Sequence, residues 1–282
     1  MSALVRPAGE ADIEPVADLL HRLMNPKIPP ERWRRILAYP WRPVDAERGW
    51  LVEEAGTVVG FMATIYSDRE TSVGRRRFCD LGAWYLQRDH RGTGIGEALL
   101  RAGMAQPGTT YATMTARRAT GRRIRGLGFT ILDDTRRLFR PQAGGARLSL
   151  QRPEPERLDP RSRRILGDHR GLGLDMLSFE AGGAPVLLVL QNKRKGENIL
   201  YRELLHCSDL GVLAASAQAL ADTLCGPASE VLAIDSRFLP VHVSPGEIEV
   251  IPLARWVRTP DVPPADVDHL YAETLLLDLK LP

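Results

Sequence analysis

The run Arg91-Gly92-Thr93-Gly94-Ile95-Gly96 combines the residue types and spacing in this chain best suited to chemistry. It follows an apolar, strand-like segment, Leu81 to Gln87, and opens a helical pattern in which Ile95, Ala98, Leu99 and Ala102 share one face. The first turn of a helix leaves backbone N–H groups without internal partners, and the helix dipole adds positive potential there. Glycines at positions 92 and 94 let the backbone curl into a nest around an anion. Gly96 keeps a side chain out of the first turn. Such a turn suits the binding of a phosphate or diphosphate group.

Two common phosphate-binding patterns do not fit. A P-loop needs a Lys and a Ser or Thr after its last glycine, and no Lys stands there. A dinucleotide fingerprint, GxGxxG counted from Gly92, needs its third glycine where Glu97 stands, and an early βαβ unit is missing. What remains is Arg/Gln-x-x-Gly-x-Gly/Ala between a strand and a helix. In this form the segment resembles the acyl-CoA signature of the GNAT superfamily of acyltransferases. The pair Gly128-Phe129 adds to the resemblance, which spans roughly residues 3 to 140.

The resemblance implies a site and an activity. The pyrophosphate of acetyl-CoA, or of another acyl-CoA, would sit in the loop Arg91, Gly92, Thr93, Gly94, Ile95 and Gly96. The pantetheine arm would lie along the strand edge Trp84, Tyr85, Leu86 and Gln87. The reaction would be acyl transfer, most naturally of acetyl, to an amine of a small-molecule acceptor. A non-catalytic acyl-CoA-binding or scaffold protein and a protein or peptide N-acetyltransferase are the competing readings. The family's usual acid, a Tyr four residues before the glycine of the Gly-Phe pair, is Ile124 here, and its usual Asn falls near Arg117. The catalytic acid is therefore unassigned, although a thiol with a pKa near ~8.5 is a tolerable leaving group.

Acyl transfer to an amine also needs a base. Asp80 is the candidate, on the strand that feeds the loop, where alternation places residues 80, 82, 84 and 86 on one side. A hydrogen-bonded structural Asp is the other reading of the same residue. His90 flanks the loop, and Cys79 alternates to the opposite face. Trp33, Trp41 and Trp84 would wall an acceptor site or pack a core.

The elements that must position these residues read as β-α-α-β-β-β-loop-α-β-α-β, a mixed α/β arrangement. Asp12 is expected to cap a first helix carrying Ile13, Val16, Leu19, Leu20 and Leu23. Trp50–Glu54 and Val58–Tyr66 flank Ala55-Gly56-Thr57 as a hairpin, and Phe78–Gln87 is the next strand. Pro141 to Pro160 reads as a seam, giving an acyl-CoA-binding domain at 1–145 and a second domain at 146–282. The stretches EEAGTVVGFMATI and FEAGGAPVLLVLQ look alike, so the second domain is read as a degenerate GNAT-like copy. After its equivalent strand comes Cys207-Ser208-Asp209-Leu210-Gly211, where a single glycine makes no nest. One acyl-CoA per chain is expected. Val267 to Thr274 reads as an amphipathic helix with no chemistry assigned.

The bulk properties agree with that frame. The 282 residues suit two domains, and 44% apolar with 26% charged residues describe an ordinary globular chain. A net charge of +3 and the lack of a recognition motif argue against a nucleic-acid partner. Cys79, Cys207 and Cys225 form no CxxC, so neither a disulfide framework nor a metal site is expected. No apolar run reaches the ~18 residues of a membrane span, and the start lacks the pattern of a secretory leader. A cytoplasmic location is the expectation.

Overall fold

The computed structural model describes residues 3–196, 198–226, 229–240 and 246–282. In chain order its elements are β1 (Leu4–Pro7), α1 (Ile13–Leu19), α2 (Pro30–Arg35), β2 (Trp50–Glu54), β3 (Thr57–Thr71), β4 (Gly74–Leu86), α3 (Ile95–Gly103), β5 (Thr110–Thr113) and α4 (Arg118–Arg125). They continue with β6 (Thr130–Phe139), α5 (Pro160–Asp168), β7 (Asp175–Ala181), β8 (Ala184–Lys195), β9 (Ile199–Cys207), α6 (Leu210–Leu224), β10 (Glu230–Asp235), β11 (Glu247–Arg258) and α7 (Glu273–Leu276). The mixed α/β class expected from the sequence is what forms.

Two compact units result. The first takes the chain up to Thr130 together with Trp256–Val262 and Tyr271–Leu281; the second takes Ile131–Arg255 and Pro263–Leu270. This differs from a single cut near residue 145. β6 joins the second unit, and two late segments return to the first, because each binds strands distant in sequence.

In the first unit β1, β2, β3 and β4 are antiparallel neighbours, and the hairpin turn places Ala55 and Gly56 at φ 50 and 77. Both values are left-handed, as a type I′ hairpin turn requires. β4 then pairs β5 in parallel, but only from Phe78 to Asp80. β5 in turn receives Trp256–Arg258 of β11 as an antiparallel neighbour. Past Asp80, β4 keeps β3 as its partner and leaves β5.

The β3–β4 register jumps there. Phe61 faces Tyr85 while Ala63 faces Gly82, so Met62 stands opposite both Ala83 and Trp84. This is a β-bulge, with Ala83 at φ 40. The bulge resets the side-chain alternation, so the expected single face of residues 80, 82, 84 and 86 does not hold beyond Gly82.

α1 buries Val16, Ala17 and Leu19. The helix widens into a π turn over Leu20–Met24, which carries Leu23 to 47% exposure. Asp12 does not cap α1 with its side chain. Its carboxylate instead accepts from the Gly9 N–H at 2.7 Å and pairs with Arg6 at 2.8 Å.

The second unit follows the same sequence of pairings. β7, β8 and β9 are antiparallel neighbours, β9 pairs β10 in parallel, and β10 pairs β6 antiparallel. A helix, α6, lies between β9 and β10 in the chain, as α3 lies between β4 and β5. A register shift also recurs, with Val189 facing His206 and Leu190 facing Leu204. Leu188, Leu190, Leu204, Leu213, Leu220 and Ile234 form its core.

Two elements depart from the sequence reading. α5 forms at the end of the Pro141–Pro160 seam and beyond it, where no element is expected: Asp159 accepts from the Arg161 and Ser162 N–H groups, and Pro160 occupies the first helical position. The helix expected over 267–274 is confined to α7, because Tyr271 at φ 60 interrupts any helix ahead of it. Among the described residues no helix is long and apolar enough to cross a membrane.

Candidate functional site

The glycine-rich turn forms at the foot of β4. Gly92 and Gly94 have φ 81 and 89, and Gly94 caps α3, its carbonyl accepting from the Glu97 and Ala98 N–H groups at 3.1 Å each. A Cβ at either glycine would meet nothing within 4 Å. The left-handed backbone, not crowding, therefore demands glycine, and open space lies beside the turn. Gly96 differs, since a Cβ there would come within 3.5 Å of the Leu86 side chain. Its small size serves packing against β4 as well as clearance.

Side chains fix the turn to the strand. Arg91 Nε donates to the Leu86 carbonyl at 2.9 Å, and its guanidinium lies 5.7 Å from the Tyr85 ring centre. Thr93 Oγ1 donates to the His90 carbonyl at 2.8 Å, and His90 Nε2 lies 3.1 Å from the Glu54 carboxylate. α3 buries Leu99 and Leu100, each worth about 1.5–3 kcal/mol of burial. Ile95 is only half-buried. At Gly103 a Cβ would fall 2.1 Å from the Met62 side chain, so α3 sits close on β3. Trp84, Tyr85 and Gln87 are half-buried and Leu86 is buried. The Gln87 N–H is engaged by the Val59 carbonyl at 2.9 Å.

Asp80 stands where β4 and β5 part. It is 5% exposed, and burial pushes its carboxyl up to about 6. Its Oδ2 accepts from the backbone N–H of Glu273 at 2.8 Å. Glu273 is itself 5% exposed, and its Oε1 accepts from the N–H of the bulge residue Ala83 at 2.7 Å. A Cβ on Gly82 would lie 2.4 Å from that carboxyl group, so glycine at position 82 makes room for it. Burial, and next the Asp80 charge, push the Glu273 carboxyl up to about 8. Glu273 is the functional candidate that the sequence reading missed.

The other sequence candidates have settled roles. Cys79 is fully buried, and burial holds its thiol well above its ordinary range, so it is no nucleophile. Trp33 and Trp41 are core residues, and Trp41 meets the Tyr271 ring edge-on at 5.3 Å. Ile124 is buried at 2% exposure and carries no proton, while Arg117 is exposed. Tyr111 is buried, its hydroxyl donates to the Gln106 carbonyl, and burial pushes it up to about 12.

The corresponding helix start in the second unit is built differently. Asp209 caps α6, with Oδ1 accepting from the Val212 N–H at 2.9 Å. A carboxylate of the chain itself thus takes the place an exogenous anion would need.

Comparison with known proteins agrees with this geometry. Residues 15–107 match the model of the acetyltransferase (GNAT) family. A probable N-acyltransferase from Enterococcus faecalis V583 superposes with a TM-score of 0.58 at 11% identity, over 94% of this chain and 74% of that one. A GCN5-related N-acetyltransferase from Anabaena variabilis ATCC 29413 gives a TM-score of 0.58 at 12% identity, over 91% and 72%. One from Kribbella flavida gives 0.54 at 13% identity, over 91% and 71%. No curated protein matches the chain. The chain has the GNAT acyltransferase fold.

Proposed function

We propose that the first unit binds acetyl-CoA or another acyl-CoA and transfers the acyl group to an amine of a small-molecule acceptor. The observation that carries the reading is the pairing of an anion-ready turn with a splayed strand. The turn at Gly92–Gly96 offers helix-start amides beside open space, and β4 runs from it to a point where β5 has left its edge. The pyrophosphate is held by the turn, and the pantetheine arm follows the edge from Gln87 to Trp84. The residues fit that group, because the two left-handed glycines bring no side chain into the cradle.

Gly94→Glu tests the cradle. It adds bulk and negative charge where the pyrophosphate sits, and acetyl-CoA affinity should fall at least tenfold, about 1.4 kcal/mol. Gly56→Glu is the control, since Gly56 also has a left-handed φ of 77 and open surroundings but lies in the β2–β3 turn. Titration calorimetry that finds equal affinity for both folded variants removes the assignment.

The second unit is a degenerate copy that holds no acyl-CoA. Asp209 supports this more directly than the missing glycines do, because its carboxylate already satisfies the start of α6. Calorimetry should give one acetyl-CoA per chain. Two tight sites per chain would contradict the reading of the second unit.

A further inference from the structure

We propose that Glu273 is the proton carrier of the acyl-transfer site and that Asp80 is its positioning residue. The inference rests on the acyl-CoA reading above and deepens it. An arm laid along β4 from Gln87 to Trp84 brings its thioester end to the next residues of the strand, Ala83 and Gly82. Those two residues touch the Glu273 carboxyl group. Ala83 donates its N–H to Oε1 at 2.7 Å, and Gly82 leaves the space the carboxyl fills.

The placement is specified from several sides. Asp80 hooks the backbone N–H of Glu273 at 2.8 Å, which sets where its side chain departs. The Thr115 side chain favours the charged form of the Glu273 carboxyl. Tyr271, two residues earlier, lies with its ring 5.1 Å from the Arg69 guanidinium of β3. The charged group that acts on Glu273 is Asp80 from β4, and Arg69 from β3 acts in turn on Asp80. Asp80 raises the Glu273 carboxyl, and Arg69 lowers that of Asp80. A carboxyl with its midpoint near 8 matches both an amine losing a proton and a thiolate gaining one.

The step balances within the two substrates. The neutral amine attacks the thioester carbonyl carbon, the N–C bond forms, and the C–S bond breaks. The proton lost by the amine nitrogen passes to the Glu273 carboxylate and from there to the thiolate sulfur. The products are an amide and free CoA thiol, and Glu273 is regenerated as a carboxylate. Asp80 acts through Glu273. It fixes the backbone and, by its charge, sets the pH at which the carboxyl gives up its proton.

The experiment measures thiol release from acetyl-CoA with hydroxylamine and a panel of primary amines, across about pH 6 to 9.5. Glu273→Gln keeps an oxygen for the Ala83 N–H but carries no proton. It should bind acetyl-CoA within threefold of wild type, lose at least ~100-fold in kcat, and, with hydroxylamine, which is largely neutral across this range, lose the rise of rate with pH. Asp80→Asn removes the neighbouring charge and should move the midpoint of that rise to lower pH. Turnover of Glu273→Gln equal to or above wild type overturns the proposal, since the carboxyl would then only fill the space. A reduced rate with an unchanged pH profile also overturns it, because a structural role would leave the profile alone. Tight acetyl-CoA binding without thiol release by the wild type sinks the proton carrier and leaves the cofactor site standing. No binding at all sinks the cofactor reading itself.

Discussion

Raising the pH from about 5 to about 8 should open a stability gap between wild type and Glu273→Gln of the order of 3 kcal/mol, with the variant the more stable at the upper end. The cause is the buried carboxyl. In the folded chain burial and the Asp80 charge lift it from an ordinary value of 4.5 to about 8. Between those values the folded state holds a proton that the unfolded state has released. Stability therefore falls as pH rises through this window. The contribution is complete below the unfolded value and lost by the folded one. Asp80, lifted from 3.8 to about 6, adds to the fall over the lower part of the window. His269 works the other way, since burial lowers it to about 4, which is why the difference between two proteins is the useful quantity. Glutamine removes the proton and keeps the hydrogen bond from Ala83. All five tryptophans, Trp33, Trp41, Trp50, Trp84 and Trp256, belong to the first unit, so their fluorescence in urea follows the relevant unfolding. Parallel stability curves for the two proteins would show that Glu273 is not held protonated.

The glycine turn was legible because its determinants are contiguous. Strand, glycines and helix lie within about one turn and one strand of each other, and each obeys a local rule. The β2–β3 hairpin was legible for the same reason. Glu273 was not, since it meets Ala83 across 190 residues and no periodicity links them. Its segment was read as an amphipathic helix, and the left-handed Tyr271 that breaks it depends on tertiary context. The bulge at Ala83 also escaped, because pairing register is a property of two strands. So did the exchange of late strands, in which β5 takes residues of β11 while β10 takes β6. Asp209 is a different case. A Ser-Asp pair ahead of an Ala-rich run is a local capping signal that needs no tertiary context. The Asp-Pro start of α5 was likewise written in the sequence.

Asp235→Ala should cost the second unit about 3–5 kcal/mol, the typical loss when one partner of a buried ion pair is removed. Asp235 is 5% exposed, and burial works against its charge, yet Arg255, His269 and Arg237 hold the carboxyl well below its ordinary range. Arg237 Nη1 and His269 Nε2 each lie 2.7 Å from it, and Arg255 Nε lies at 3.3 Å. His269 is lowered to about 4 by burial, so near neutral pH it donates a neutral N–H and brings no charge. Alanine would therefore leave the two guanidiniums with one anion fewer in a site that excludes water. Asp133 would still pair Arg237 at 3.3 Å, but Arg255, 0% exposed, would lose the Asp235 carboxylate that its Nε meets at 3.3 Å. The paired change is the sharper test. Arg255→Met in the Asp235→Ala background removes the buried positive charge that has lost its Asp235 partner, and the double variant should recover a substantial part of the loss, because both desolvation costs then disappear together. The measurement is urea unfolding by far-ultraviolet dichroism, with hydrogen exchange of the β10 amides locating the change. A single-variant loss under about 1 kcal/mol, or a double variant whose loss is the sum of the two singles, would mean that this cluster does not act as a coupled ionic unit.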